Sequence, residues 1–218
     1  MSTLTEENYL KALFSLSAES GNITVARLSK KMGVKMPTVT SMMKKLARKK
    51  VVQYTRYRPL QLTEKGRKEA LQIIRRHRLV EMFLMKTMNY GWDEVHELAD
   101  QIEHIEAPEF FDRIDQLLHH PEIDPHGEPI PDRTGRLAPT QYVTLSSCRA
   151  GDMVRLRAVT DSSSNFLQYL NKRGLRLGVK VRVEALEPFD GSIVVRYGKR
   201  RSESLAHAVG NKLLFERI

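Results

Sequence analysis

The segment EVHELADQIEH, residues 94 to 104, carries His96, Asp100, Glu103 and His104 at spacings of four, three and one. Read as a helix at about 100° per residue, it places all four within about a third of the circumference. Two imidazoles and two carboxylates then share one stripe. Imidazole nitrogen and carboxylate oxygen together suit a divalent transition ion. Upstream, in EKGRKEALQIIRRHRLVEMFLMKTM, His77 and Glu81 stand one turn apart and offer a second pair. A single His–Glu pair arises easily as a surface ion pair, whereas a stripe of four facing a separate pair does not. His119, His120, His126 and His207 lack such company and are read as capped or ion-paired surface residues. The stretch HELAD, from His96 to Asp100, imitates the zinc-protease pattern of two histidines around a glutamate but ends in Asp. No nucleophile elbow or phosphate-binding loop accompanies it, which leaves a metal-dependent hydrolase as a lesser alternative.

The elements that position these groups are bounded first by composition. The chain has 218 residues, enough for two or three small domains, and its 41% hydrophobic content is globular. The first ten residues lack the layout of a signal peptide, and no apolar run reaches the roughly eighteen residues that span a bilayer. A single cysteine, Cys148, excludes an intramolecular disulfide framework. The expectation is a reduced, cytoplasmic protein with no membrane partner. The net charge of +10 is unevenly spread. Residues 1–80 hold 18 Lys+Arg against 5 Asp+Glu, residues 81–142 hold 4 against 14, and residues 143–218 hold 14 against 7. A basic block followed by an acidic one assigns polyanion binding and cation binding to different modules.

In the basic block, Thr3 or Thr5 can cap a first helix with Glu6 and Glu7 in its first turn and Leu10, Leu13 and Phe14 as its apolar stripe. After a break at Gly21 and Asn22, Thr24 can cap a second helix with Val25, Leu28 and Met32 on one face, and Gly33 supplies the stop. KMPTVTSMMKKLARKK follows, with Pro37 suited to a first turn and Val39, Met42, Met43 and Leu46 recurring at helical spacing. Thr38, Thr40, Ser41, Lys44, Lys45 and Arg48 lie on the other face. Two short helices joined by a tight turn, the second with hydroxyls and cations outward, match a helix-turn-helix. VVQYTRYRPLQLT then reads as a hairpin, a wing with Arg56 and Arg58 near its tip. A charge run alone is most often a solvated face. Helix, turn, helix and basic wing in sequence favour DNA, with Arg27, Lys35, Pro37, Thr38, Thr40, Ser41, Lys44, Lys45 and Arg58 as the contacting set.

Thr63 can cap the long helix bearing His77 and Glu81, and Asp93 and Glu94 favour the start of the next. After Pro108, Phe110, Phe111, Ile114, Leu117 and Leu118 form an apolar side that is a candidate dimer interface. Residues 121–139 hold five of the nine prolines and mark a boundary. Beyond it MVRLRAV, VKVRVEAL, SIVVRYG and LLFERI are short strand-like runs, suggesting a small β-barrel. GKRR, residues 198–201, reads as an exposed hairpin tip.

On MPTVT within the winged helix, RHRLVEMFL, WDEVHELADQIEH and HPEIDPHGEPIP, the chain resembles the diphtheria-toxin-repressor-like family of metal-dependent transcriptional regulators, in particular its manganese-responsive branch. The resemblance covers nearly the whole length. It implies a regulatory metal site at Asp100, Glu103 and His104 with a donor from the first helix, and an ancillary site at His77, Glu81 and His96. It also implies that the tail is an SH3-like domain able to add oxygen ligands to the ancillary site, for which Asp161, Asn165 and Glu122 are candidates. Two positions depart from the family pattern. Asn8 stands where similar regulators place methionine or aspartate, so Asn8 or Glu7 would supply the first-helix donor. Asp100 stands where the iron-responsive relatives have cysteine, and its hard carboxylate favours Mn(II) or Fe(II) over softer ions.

The reading is a mainly α protein with a β tail: a winged helix-turn-helix over 1–70, a helical metal-binding and dimerisation domain with a Pro-rich linker over 71–140, and an SH3-like domain over 141–218. Its expected function is that of a homodimeric, Mn(II)-activated repressor of metal-uptake genes acting on a palindromic operator in double-stranded DNA. An Fe(II)-responsive regulator, and a winged-helix regulator that senses an organic ligand, are the alternatives beside the hydrolase.

Overall fold

The computed structural model describes residues 3–19, 22–198 and 202–218, so the break at Gly21 and residues 199–201 of the GKRR tip lie outside it. Contacts divide the chain into two compact units. The first runs to His77 and adds Asp100–Asp112 and Pro131–Leu137; the second comprises Arg78–Ala99, Arg113–Ile130 and Ala138–Ile218.

The first unit begins with α1 (Leu4–Glu19), α2 (Val25–Met32) and α3 (Met36–Arg48). Of the two threonines expected to cap α1, Thr3 does so: its hydroxyl accepts from the Glu6 N–H at 3.4 Å while Glu6 Oε2 accepts from the Thr3 N–H at 2.8 Å, a reciprocal capping box. Thr24 caps α2 by accepting from the Arg27 N–H at 3.1 Å, and Gly33 ends it in the left-handed region at φ 65°. Leu10, Leu13, Leu28, Val39, Met43 and Leu46 are all fully buried, so the apolar stripes of the three helices meet in one core. The wing is a two-stranded antiparallel hairpin of β1 (Val52–Gln53) and β2 (Gln61–Leu62), with Tyr57 at its tip in a left-handed conformation. Thr63 then caps α4 (Glu64–Met88), accepting from the Gly66 N–H at 3.0 Å and donating to the Lys50 carbonyl at 2.8 Å. Gly66 is required there, since a Cβ would lie 1.9 Å from the Val51 carbonyl oxygen.

The helix carrying the donor stripe is shorter than its spacing predicts. α5 (Val95–Ile102) stops before Glu103, and Glu103 and His104 lie in the turn that follows. The Ile105 N–H bonds back to the Ile102 carbonyl at 3.1 Å, closing a tight last turn. The restart at Pro108, first residue of α6 (Pro108–Leu117), disfavours helical backbone at Ala107, so the two helices cannot merge.

The second unit carries a six-stranded antiparallel sheet of β3 (Val143–Thr144), β4 (Met153–Val159), β5 (Lys180–Leu186), β6 (Ile193–Tyr197), β7 (Glu203–Leu205) and β8 (Leu213–Arg217), in the order β3-β8-β4-β5-β6-β7. Register shifts at Leu156/Ala158 and Val183/Ala185 bend it. Where a barrel was expected, β3 and β7 remain separate edges among the described residues. Two helices interrupt the strands, α7 (Ser164–Arg173) and the single turn α8 (His207–Gly210). The strand-by-strand reading of the tail missed α7, although its signals were present: Leu167 and Leu170 one turn apart, both buried, and Gly174 as a left-handed stop at φ 71°. The linker packs on β4, with the Val159 N–H donating to the His126 carbonyl at 2.9 Å. Gly127 makes this approach possible, because a Cβ there would meet the Arg157 carbonyl oxygen at 1.9 Å.

Candidate metal centre

In the first unit, α1, α4, the last turn of α5 and the turn after it bring six side chains together. Glu103 is fully buried, and its Oε2 lies 2.6 Å from His77 Nδ1. The same His77 nitrogen is 3.3 Å from Asp100 Oδ1. From α1, Lys11 Nζ lies 2.7 Å from Asp100 Oδ1 and 2.8 and 2.9 Å from the two Glu103 oxygens. His104 Nδ1 meets Glu7 Oε2 at 2.6 Å. Its other nitrogen, Nε2, is buried and has no hydrogen-bond partner among the described residues; Glu103 Oε1 is 3.3 Å away but outside hydrogen-bond geometry. A buried orphan imidazole nitrogen beside a buried carboxylate is a pair that a divalent cation satisfies. Its partner Glu7 holds Nδ1 in the way that carboxylates hold metal-ligating histidines, which leaves Nε2 turned away from Glu7. His77, Asp100 and Glu103 each present one donor atom within 4.8 Å of the others. Asn8, half-buried, neighbours Glu7 on α1.

The unit boundary passes between His77 and Arg78 and between Ala99 and Asp100, so the six sequence-predicted donors fall into two groups. His77, Asp100, Glu103 and His104 belong to the first unit, Glu81 and His96 to the second. In the second unit, Glu81 Oε1 lies 3.0 Å from His96 Nδ1 and Oε2 lies 3.6 Å from His126 Nδ1. Glu81, Asp124 and His126 are all buried and present donor atoms within 4.8 Å of one another. This corrects two readings. His126 is not a surface histidine: it is 3% exposed, and its Nε2 bonds the Trp92 carbonyl at 2.8 Å. The linker carboxylate that turns inward is Asp124, whereas Glu122 is exposed. Burial first, and then the charge of Glu81, pushes the Asp124 carboxyl up to about 7, with Arg78 opposing. Burial pulls the His126 imidazole down, but Glu81 and Asp124 outweigh it and leave its pKa raised. Two buried carboxylates and an imidazole whose donor atoms lie this close together form a donor set that a divalent ion fits, with Arg78 at 3.3 Å from Asp124 supplying positive charge beside it. Asp161 is held elsewhere, by Lys212 at 2.6 Å and the Ser163 N–H at 2.9 Å, and Asn165 is exposed. The neighbouring Ser162 hydroxyl comes to 3.5 Å from His96 Nδ1.

The basic face divides too. Lys35, Pro37, Thr38, Ser41, Lys44 and Arg58 are exposed, while Arg27 and Thr40 are half-buried. A groove between the helix-turn-helix and the wing is lined by Thr24, Ala26, Met36, Thr40, Lys44, Tyr54 and Arg58. Lys45 differs from the rest. With Lys49 it reaches back to Glu6, at 3.2 and 2.8 Å. Burial alone would raise the Glu6 carboxyl, but hydrogen bonds from Lys49, Thr3 and Lys45 hold it down at about 2. Thus α1 grips α3 with Glu6 and grips the donor cluster with Glu7 and Lys11.

A winged helix-turn-helix, a helical segment rich in His and carboxylate donors, and an SH3-like tail define a metal-dependent DNA-binding regulator. Comparison with known proteins gives the same class. Residues 1–60 match the iron dependent repressor N-terminal DNA binding domain, residues 63–132 the iron dependent repressor metal binding and dimerisation domain, and residues 143–216 the FeoA domain. A solved manganese-dependent transcriptional repressor in complex with manganese is 30% identical with a TM-score of 0.89, covering 98% of this chain and 100% of that one. The solved manganese regulator SloR is also 30% identical, with a TM-score of 0.82 and 98% of each chain covered. The iron-dependent repressor IdeR of Mycobacterium bovis is 33% identical over 127 residues, which is 58% of this chain and 55% of that protein, so the match spans just over half of that relative. The chain belongs to the diphtheria-toxin-repressor-like family of metal-dependent transcriptional repressors. Members of this family are not enzymes, and the hydrolase alternative falls.

Proposed function

We propose that this chain is a Mn(II)-activated repressor of metal-uptake genes that binds a palindromic operator as a homodimer in the cytoplasm. The three sequence segments 1–70, 71–140 and 141–218 would serve DNA binding, metal binding with dimerisation, and an SH3-like accessory role. The observation that carries the reading is the double grip of α1: Glu6 on Lys45 of α3 and on Lys49 just past its end, Glu7 on His104. Whatever holds His104, Glu103 and Asp100 together also fixes the helix against which the recognition helix is braced. Asp100, Glu103 and His104 would hold the regulatory ion, with His77 beside Glu103 and a first-helix oxygen from Asn8. Glu7 would orient His104 rather than ligate. Glu81, His96, Asp124 and His126 would hold the ancillary ion, for which Asp161 and Glu122 are the weaker candidates.

A bound divalent ion supplies there the positive charge that lets carboxylates and imidazoles from different elements stay packed together. With those side chains held, one placement of α1 and α3 would be favoured in the population, and in a homodimer two recognition helices would lie about one DNA turn, roughly 34 Å, apart or a multiple of it. Manganese over iron is argued from Asp100, since a hard carboxylate accepts Mn(II) without the preference a thiolate introduces. Fe(II) activation is the alternative, supported by the iron-dependent relatives. The test is a palindromic site, selected from random DNA by the Mn(II)-loaded protein, titrated after chelation with Mn(II), Fe(II) and Zn(II). Operator binding lost on chelation and restored in full by Mn(II) is expected, with Zn(II) also binding tightly because raw affinity rises across the first row. Binding indifferent to chelation would favour an organic effector instead.

A further inference from the structure

Lys11 holds the position a regulatory cation would need. Its ammonium touches Asp100 Oδ1 at 2.7 Å and both Glu103 oxygens at 2.8 and 2.9 Å. Glu103 is sealed from solvent, whereas the Lys11 side chain is 22% and that of Asp100 47% exposed. The ammonium therefore neutralises the donors from the open side of the cluster. His77 Nδ1 of α4, at 2.6 Å from Glu103 Oε2, and His104 Nε2 of the same turn, at 3.3 Å from Oε1, face the same carboxylate.

We propose that Lys11 is a tethered competitor for the regulatory metal, and that it sets the free-ion concentration at which the site fills. The inference rests on the assignment of Asp100, Glu103 and His104 as ligands given above. Metal–oxygen bonds are roughly 2.0–2.2 Å long, and an ammonium touching the same oxygens would be left within a few ångströms of a doubly charged ion. Lys11 must withdraw before those oxygens can serve as donors. Its flexible four-carbon stem and its half-open position let the ammonium swing to water without any change in α1. The cost of withdrawal is met before coordination begins, so it is the same for every divalent ion. Lys11 then raises the threshold for all of them and leaves selectivity to the donors. A lysine that merely oriented the carboxylates would have the opposite signature, because removing it would loosen the site.

The experiment is direct Mn(II) titration of the full chain, read from the electron paramagnetic resonance signal of free aqueous Mn(II), for wild type, Lys11→Met, Lys11→Gln, Lys11→Arg and Glu103→Gln. Both neutral variants should bind the competed ion roughly tenfold more tightly, the lower end of what an adjacent charge does to a carboxylate. Lys11→Arg should stay near wild type. Fe(II) and Zn(II), measured by competition against Mn(II), should gain by the same factor. Unchanged or weaker binding in Lys11→Met and Lys11→Gln, or a gain confined to one ion, overturns the proposal. Glu103→Gln separates the two levels. If it binds Mn(II) like wild type, the ligand assignment fails and the Lys11 role with it. If it loses an ion while the neutral Lys11 variants gain nothing, only the Lys11 role fails.

Discussion

Glu103 is the residue on which the proposed regulatory site turns, since it is fully buried and touched by Lys11, His77 and His104. We expect Glu103→Ala or His104→Ala to abolish Mn(II)-dependent operator binding while leaving the fold and weak metal-free binding in place. Gel-shift titration beside circular dichroism checks this, and a normal Mn(II) response in either variant refutes the assignment. Asp100→Cys should instead change selectivity. A thiolate is softer than the carboxylate it replaces, and the neighbouring donors are kept, so the ratio of half-maximal Fe(II) to Mn(II) concentrations should fall. An unchanged ratio, measured anaerobically, would make Asp100 a structural residue. At this scale the sequence was partly legible. The proximity of Asp100, Glu103 and His104 was legible because helical spacing grouped these donor types near one another. Asp124 and His126 could not, because a proline-rich linker has no periodicity from which burial can be read. Lys11 was illegible for a simpler reason: a cation on the polar side of an amphipathic helix gives no sign of which carboxylates it meets.

Among the elements, α3 and the wing carry the DNA prediction. Lys44 and Arg58 are exposed on the groove between them, whereas Lys45 is committed to Glu6. Lys44→Ala and Arg58→Ala should each weaken operator binding and flatten the dependence of log affinity on log salt by about one unit, the release expected for one lost phosphate contact. Slopes unchanged in both would move the DNA surface elsewhere. For α1, Glu6→Gln removes the charge that Lys45 and Lys49 share. It should reduce the gain in operator affinity that Mn(II) produces, while Mn(II) binding itself persists because Glu6 touches no donor. Paired fluorescence-anisotropy and metal-binding titrations measure the two separately. Caps made these helices legible, with Thr3, Thr24, Gly33 and Thr63 all acting at helix ends. The miss at α5 has the same physical root, since Pro108 disfavours continuation but periodicity alone carries the stripe past Ile102 to Glu103 and His104. In the tail, strand-forming runs drew attention away from Gly174, whose stop marked α7.

For the whole molecule, α1 would join two binding events, one at the donor cluster and one at the recognition helix. The order of the modules was legible because charge sign changes with them, basic to acidic to basic. The open six-stranded sheet was not, since strand runs do not reveal whether their edges meet. If metal and operator act on the same placement of α1, their coupling must be reciprocal: whatever factor Mn(II) adds to operator affinity, the operator adds to Mn(II) affinity. The most direct measurement is therefore Mn(II) binding to the full chain with and without a saturating selected palindrome, read from the resonance of free Mn(II). The account predicts binding tighter by roughly tenfold or more with DNA, the usual scale of such coupling, and equal to the factor found in the reverse titration. Identical Mn(II) affinity in both conditions would mean that the metal and the operator do not communicate, and would contradict it.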